Sequence, residues 1–310
     1  MKETIHSSQI PKDESTQAPK PAPVPKRVAA ERCVTLSQRY SNEVLLLHGR
    51  HQSLSGHQSI VFFSMMKAAS TYVGGLLRML VLDEHMTPIN LDGYKWSGGL
   101  SRKDIRLMGS QMCASVYKEK GYFYGPFRTL EWGIPQLDRF KVLLMLRDPR
   151  DVLVSFYFSM AFSHPIPEGP YEGPNGPKWV REKRVKALAM SIDEFVLSES
   201  DTFFSWYRPY CDELLGKGNV LFVTYEEMVA DFEKWLRRII RFLDLHPSEE
   251  TVKEIVATTD FNVTENQFSH KRQVRPGDHT RKLKTETVRQ LTEMWRPILE
   301  KLSYAEERIA

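Results

Sequence analysis

Apolar residues along this chain follow two rhythms. Short runs that are apolar at consecutive positions, bounded by polar or turn residues, recur at 60–63, 122–124, 140–146 and 220–224. Between them lie longer stretches in which apolar positions return every third or fourth residue. A run that is apolar on both faces reads as a strand covered on two sides, and strands alternating with helices predict a parallel sheet. The helical stretches are clearest late in the chain. Over 226–243, Met228, Phe232, Trp235, Leu236, Ile239, Ile240 and Leu243 share one face, and over 285–302 Val288, Leu291, Trp295, Ile298 and Leu302 do the same. Both stripes are read as core. Ser248, followed by Glu249 and Glu250, predicts the N-cap of a short helix carrying Val252, Ile255 and Val256. The fold class is therefore α/β, a central parallel sheet flanked by helices on both faces.

The ends and loops break this pattern. Residues 1–32 are rich in Pro, Lys, Ser, Gln and Glu, with too little apolar area to offset the entropy of ordering, and are read as a disordered tail preceding a single domain over 33–310. Two long loops differ in composition from their surroundings. Residues 163–176 are dense in Pro and Gly, residues 264–284 in basic and polar side chains, and both are read as candidate lids.

The stretch 60–77 reads as a strand that breaks at Ser64 and enters a helix near Ser70, with Lys67 in the turn. The free N–H groups and dipole at a helix start favour an anion, and the Ser70 and Thr71 hydroxyls stand beside them. No glycine lies between Ile60 and Tyr72, so the loop is a poor match to one that wraps a nucleoside triphosphate. A second anion site follows the third run. There Pro149 stops the strand, Asp151 is positioned to cap the next helix, and Arg147 and Ser155 face the same side.

Together these segments resemble the sulfotransferases that use 3′-phosphoadenosine 5′-phosphosulfate (PAPS), a family with a P-loop-like three-layer fold. That family grips the 5′-phosphosulfate with a Pro-Lys-Ser-Gly-Thr-Thr-Trp loop, on which Met66-Lys67-Ala68-Ala69-Ser70-Thr71-Tyr72 falls. Its Arg-Asn-Pro-Lys-Asp segment, followed at a fixed distance by Val-Ser, binds the 3′-phosphate. Arg147-Asp148-Pro149-Arg150-Asp151 with Val154-Ser155 fits that closely. Val223-Thr224-Tyr225-Glu226-Glu227-Met228 is similar to a block whose tyrosine lies against the adenine. Arg272-Gln273-Val274-Arg275-Pro276-Gly277-Asp278 falls on the segment that closes over the 3′-phosphate, with Val274 where the family has a glycine and His279 where it has a tryptophan. Singly, each motif has a plainer reading as a salt-bridged turn, a core tyrosine or a solvated charge. Four in the family's order point to sulfuryl transfer.

The resemblance implies PAPS as donor, adenosine 3′,5′-bisphosphate (PAP) as product and no metal requirement, with Lys67 stabilising charge on the leaving group. The family's small-molecule branch uses a histidine as base where this chain has Tyr124 within Tyr122-Phe123-Tyr124-Gly125-Pro126. Either a tyrosine of depressed pKa takes the proton, or His85, Asp92 or Glu131 does. The acceptor is read as the hydroxyl or amine of a small molecule such as a natural product, in a pocket built from loops at about 85–103 and 163–176.

Composition adds bounds. With 310 residues, 41% of them hydrophobic, the chain can bury a full core. A net charge of +4 without a long basic tract gives no sign of nucleic acid. The longest apolar runs are far below the roughly 18 residues a membrane span needs. The three cysteines, Cys33, Cys113 and Cys211, have neither metal-ligand spacing nor disulfide density, so a reducing cytoplasm is expected. Oligomeric state stays open. A phosphotransferase or nucleotide hydrolase, or a non-catalytic nucleotide-binding protein, are the other functions such a sheet admits. The first predicts magnesium-dependent ATP binding, which the missing glycines oppose.

Overall fold

A computed structural model describes residues 35–100, 113–167, 176–261, 263–269 and 272–304. The expected tail at 1–32 and residues 168–175 of the first candidate lid lie outside these. In chain order come α1 (Leu36–Arg39), α2 (Ser41–Leu47), β1 (Ile60–Ser64), α3 (Ser70–Asp83), β2 (Thr87–Ile89), α4 (Leu91–Trp96), α5 (Cys113–Val116), β3 (Tyr122–Phe127) and β4 (Lys141–Leu146). Then follow α6 (Pro149–Phe158), which runs into a π-helical turn at Ser159–Ser163, α7 (Pro177–Ala189), α8 (Ile192–Glu213), β5 (Val220–Thr224), α9 (Tyr225–Ala230) and α10 (Phe232–Leu243). The chain closes with α11 (Glu249–Thr258), α12 (Asp278–Lys282) and α13 (Thr285–Lys301).

The sheet is parallel throughout, in the order β2-β3-β1-β4-β5. All four expected strands are present. The fifth, β2, escaped the pattern because Thr87-Pro88-Ile89 is neither a long apolar run nor fully buried; it is an edge strand, where a proline is tolerated. Side-chain alternation divides the core into two layers. Ile60, Phe62, Phe123, Leu143 and Met145 pack with Val73, Leu77, Trp235 and Ile239 from α3 and α10. Val61, Phe63, Tyr124, Val142 and Leu144 pack with Val152, Phe156, Phe203, Leu291 and Trp295 from α6, α8 and α13. Both layers are anchored by the predicted helical stripes.

Local capping sets the helix starts. The single helix expected over 226–243 is two, because Asp231 leaves the helical conformation and its carboxylate accepts from Lys234 N, capping α10. Thr224 and Glu227 form a reciprocal capping box on α9. Ser248 caps α11 as expected, accepting from Thr251 N. Among the described residues, no helix is long and apolar enough to cross a membrane.

The β1–β3 pairing shifts register between Val61 and Phe63, opposite Gly125 at φ 133°. A Cβ on Gly125 would lie 2.6 Å from the Phe62 carbonyl oxygen, so no other residue fits without moving the central strand. Gly125→Ala is expected to cost at least about 1–3 kcal/mol, read as a lowered urea midpoint; an unchanged midpoint would show that the strand pair absorbs the methyl group.

Candidate functional site

The chain leaves β1 for β2 and β3 on one side, then crosses to β4 and β5 on the other. Ligands in such sheets bind beyond the carboxyl ends of the strands where the order reverses, here beyond β1 and β4. The loop after β1 is there. With no glycine to take the turn, Lys67 and Ala69 do so at φ 66° and 59°; left-handed non-glycine residues are strained and concentrate at functional sites. Ala69 is the N-cap of α3 and, among the described residues, no side chain caps that helix, which leaves its first N–H groups without a capping partner. Ser70 is buried and Thr71 exposed in the first turn. Tyr72 turns away, its hydroxyl bonded to Thr259 Oγ1 at 2.8 Å.

Lys67 pairs with no carboxylate among the described residues. Burial, and then the charges of Arg147 and Arg272, draw its pKa down to about 8. Arg147, 4% exposed, donates from Nη1 to the Lys67 carbonyl at 3.3 Å and from Nη2 to Asp151 Oδ2 at 3.1 Å. Its Nε is buried without a partner among the described residues. Tyr225, placed against the adenine by the resemblance, has its ring 4.2 Å beneath the Arg147 guanidinium and donates its hydroxyl to the Val274 carbonyl. Ser155 is half-buried on α6.

Asp151 does not cap α6, as the spacing suggested. Asp148 does so, accepting from Arg150 N at 2.8 Å, with Pro149 in the first turn. Asp151 instead lies fully buried and accepts four hydrogen bonds. Oδ2 takes Arg147 Nη2 and Gly277 N (2.8 Å), while Oδ1 takes His279 N (2.9 Å) and His279 Nδ1 (2.7 Å). Burial alone would raise its pKa, but the His279 bonds and the Arg147 charge hold it well below the usual carboxylate range. The late loop is thereby tied to the second motif. Within that loop Arg272 spans Glu265 (2.6 Å) and Asp278 and lies 4.2 Å over the Phe158 ring. Val274 is buried in the core layer of α3 and α10. Arg275 is exposed, and Gly277 takes φ 74° at the start of α12.

The sulfotransferase domain model matches residues 134–306, just over half of the chain. This chain belongs to the sulfotransferase family. It is 31% identical over 134 residues to Sulfotransferase 1E1 of Homo sapiens, covering 41% of this chain and 38% of that protein. Against Sulfotransferase 2B1 of Homo sapiens the identity is 30% over 122 residues, 39% of this chain and 29% of that one. The chain thus spans well under half the length of the curated relatives it matches. The crystal structure of mouse sulfotransferase SULT7A1 complexed with PAP superposes with a TM-score of 0.51 at 16% identity, over 85% of this chain and 94% of that one, a likeness of fold.

The four base candidates do not converge in this sulfotransferase-family site. Tyr124 is fully buried; its hydroxyl donates to the Val116 carbonyl and accepts from Lys118 N, and burial raises its pKa instead of depressing it. His85 precedes β2, so it lies at the amino edge of the parallel sheet, opposite the Lys67 loop. Glu131 is exposed and paired with Lys95. Asp92 stands at the carboxyl side of β2, buried, accepting from Arg128 N at 2.9 Å and Trp132 Nε1 at 2.7 Å; burial raises its pKa against the pull of Arg128 and Lys95.

Sequence reasoning passed over Arg128, the charged residue directly after β3. Its guanidinium stacks 4.2 Å over Trp96 and reaches Thr71 Oγ1 at 3.4 Å. His279 was noted only as a departure from the family, and its bond to Asp151 crosses 128 positions of sequence. Asp151→Ala leaves the Arg147 charge buried without its carboxylate and should cost about 3–5 kcal/mol of stability, measured by urea unfolding at pH 7. Because the carboxyl pKa is depressed on folding, that contribution is present above the unfolded value near ~4 and fades as pH falls below it; a loss equal at pH 7 and at pH 2 would contradict the pairing.

Proposed function

We propose that this chain transfers a sulfuryl group from PAPS to a hydroxyl or amine of a small organic acceptor, with residues 33–310 acting as one domain in the reducing cytoplasm. The observation that carries this is Lys67. A half-buried ammonium with no carboxylate partner among the described residues, flanked by Arg147 and Arg272 at the uncapped start of α3, is a surplus of positive charge that an anionic ligand with two phosphate positions neutralises. Family membership and the order of the four motifs support the same donor.

When bound, the donor supplies the sulfuryl group: an S–O or S–N bond to the acceptor forms as the S–O bond to the 5′-phosphate breaks, releasing PAP and the acceptor proton. The chain's part is positioning and charge. Lys67 stands at the leaving oxygen. Ser70, Thr71 and the backbone N–H groups from Ala69 to Tyr72 hold the 5′-phosphosulfate. Arg147 holds the 3′-phosphate with Ser155, Arg272, Arg275 and the Gly277 turn, while Tyr225 supports Arg147 from beneath. Tyr124 and His85 are not retained as bases, since one is committed to the Val116 carbonyl and the other lies at the far edge of the sheet.

Arg147→Ala is expected to weaken PAP binding roughly 10- to 100-fold, and Lys67→Ala to lower kcat at least about 100-fold. Donor binding also carries a pH signature. An anion prefers the protonated Lys67, whose pKa in the free protein is lowered to about 8. Affinity for PAP should therefore be flat below that pH and fall by up to about tenfold per unit above it, a slope that disappears in Lys67→Ala. Calorimetry between about pH 6.5 and 9.5 reads both effects; unchanged affinity in Arg147→Ala would remove the 3′-phosphate assignment.

A further inference from the structure

We propose that Arg128 is a further residue of the transfer site, contacting the transferable sulfonate of the donor from the side opposite Arg147. This rests on the donor reading above. In the order β2-β3-β1-β4-β5, β3 and β4 flank β1 on its two sides. Arg147 leaves the carboxyl end of β4 and Arg128 that of β3, so the Lys67 loop has a guanidinium on either hand.

Arg128 is held in place from three directions. Its backbone N–H donates to Asp92 Oδ2 at 2.9 Å, its guanidinium lies 4.2 Å over the Trp96 ring, and Nη2 reaches Thr71 Oγ1 at 3.4 Å. Thr71 is exposed in the first turn of α3, at the 5′ end of the donor site. An anion oxygen taken by the Thr71 hydroxyl therefore lies within one hydrogen bond of Arg128.

The Arg128–Asp92 ion pair leaves this capacity open. Nη1 stands 3.8 Å from Asp92 Oδ2, beyond hydrogen-bond distance, and the Asp92 oxygens already accept from Arg128 N and Trp132 Nε1. Asp92 thus acts as a brace on the backbone and a weak counter-charge. Lys67 takes the bridging oxygen, and Arg128 the peripheral sulfonate oxygens, fixing the sulfur for in-line attack.

PAPS carries the sulfonate and PAP does not, which separates this role from a structural one. Equilibrium affinities for both nucleotides, without acceptor, are to be measured on wild type, Arg128→Gln and Arg128→Lys, with thermal midpoints alongside. The glutamine variant is expected to lose about tenfold or more in PAPS affinity, the size of one charge-assisted hydrogen bond, while PAP affinity stays within about twofold. Arg128→Lys, which keeps the charge and stem and serves if the glutamine form does not fold, should lose the same preference in part. Equal losses for both nucleotides, or none for either, overturn the assignment while leaving the donor reading intact. A wild type that binds neither nucleotide overturns the donor reading, and this assignment with it.

Discussion

A carboxylate with no access to water must find its hydrogen bonds inside the protein, and Asp151 is such a group. Left bare, its burial would cost several kcal/mol or more. Four donors converge on it instead, from Arg147 on the β4 end and from Gly277 and His279 on the late loop. The site geometry follows from that demand. The loop from Arg272 to Gly277 is drawn against α6, Val274 offers its carbonyl to Tyr225, and Tyr225 lies beneath the guanidinium that Asp151 orients. The valine and histidine that stand in for the family's glycine and tryptophan thus have positions of their own in this packing, one in the core and one on the buried carboxylate.

The opposite condition holds at Lys67. Here charge is left unmatched among the described residues, and burial, followed by the surrounding cations, pushes its pKa down. The turn that carries it is strained, with Lys67 and Ala69 both left-handed. Such a turn persists because β1 lies at the centre of the sheet, paired on both sides and sealed by two core layers. A rigid centre and an under-compensated edge together suit the anion site proposed above. The Arg128 cluster lies beside it at the end of β3, joined through Thr71 to the first motif.

The sheet, the helix stripes and the order of the donor motifs were legible in the sequence because each depends on neighbours within a few positions. Apolar runs at 60–63 and 140–146 became β1 and β4, Ser248 became a cap, and Lys67, Ser70, Thr71 and Arg147 met at one end of the sheet. Strand β2 was missed, since three residues at an edge have no periodicity to read. The split at Asp231 was missed because the apolar stripe runs on through it while the backbone does not.

What the sequence determined by itself, then, was the fold class and which motifs gather at one end of the sheet, since hydrophobic period and turn chemistry are local properties. What only the tertiary structure decided was which charged groups share a partner. Asp151 was read as a cap and proved to be the tether of a loop 126 positions away. Tyr124 was one of four base candidates and lies in the core, its hydroxyl bonded to the Val116 carbonyl. Arg128 went unread and reaches Thr71 across 57 positions. The field at a side chain is the sum over everything packed around it, and that sum exists only once the chain has folded.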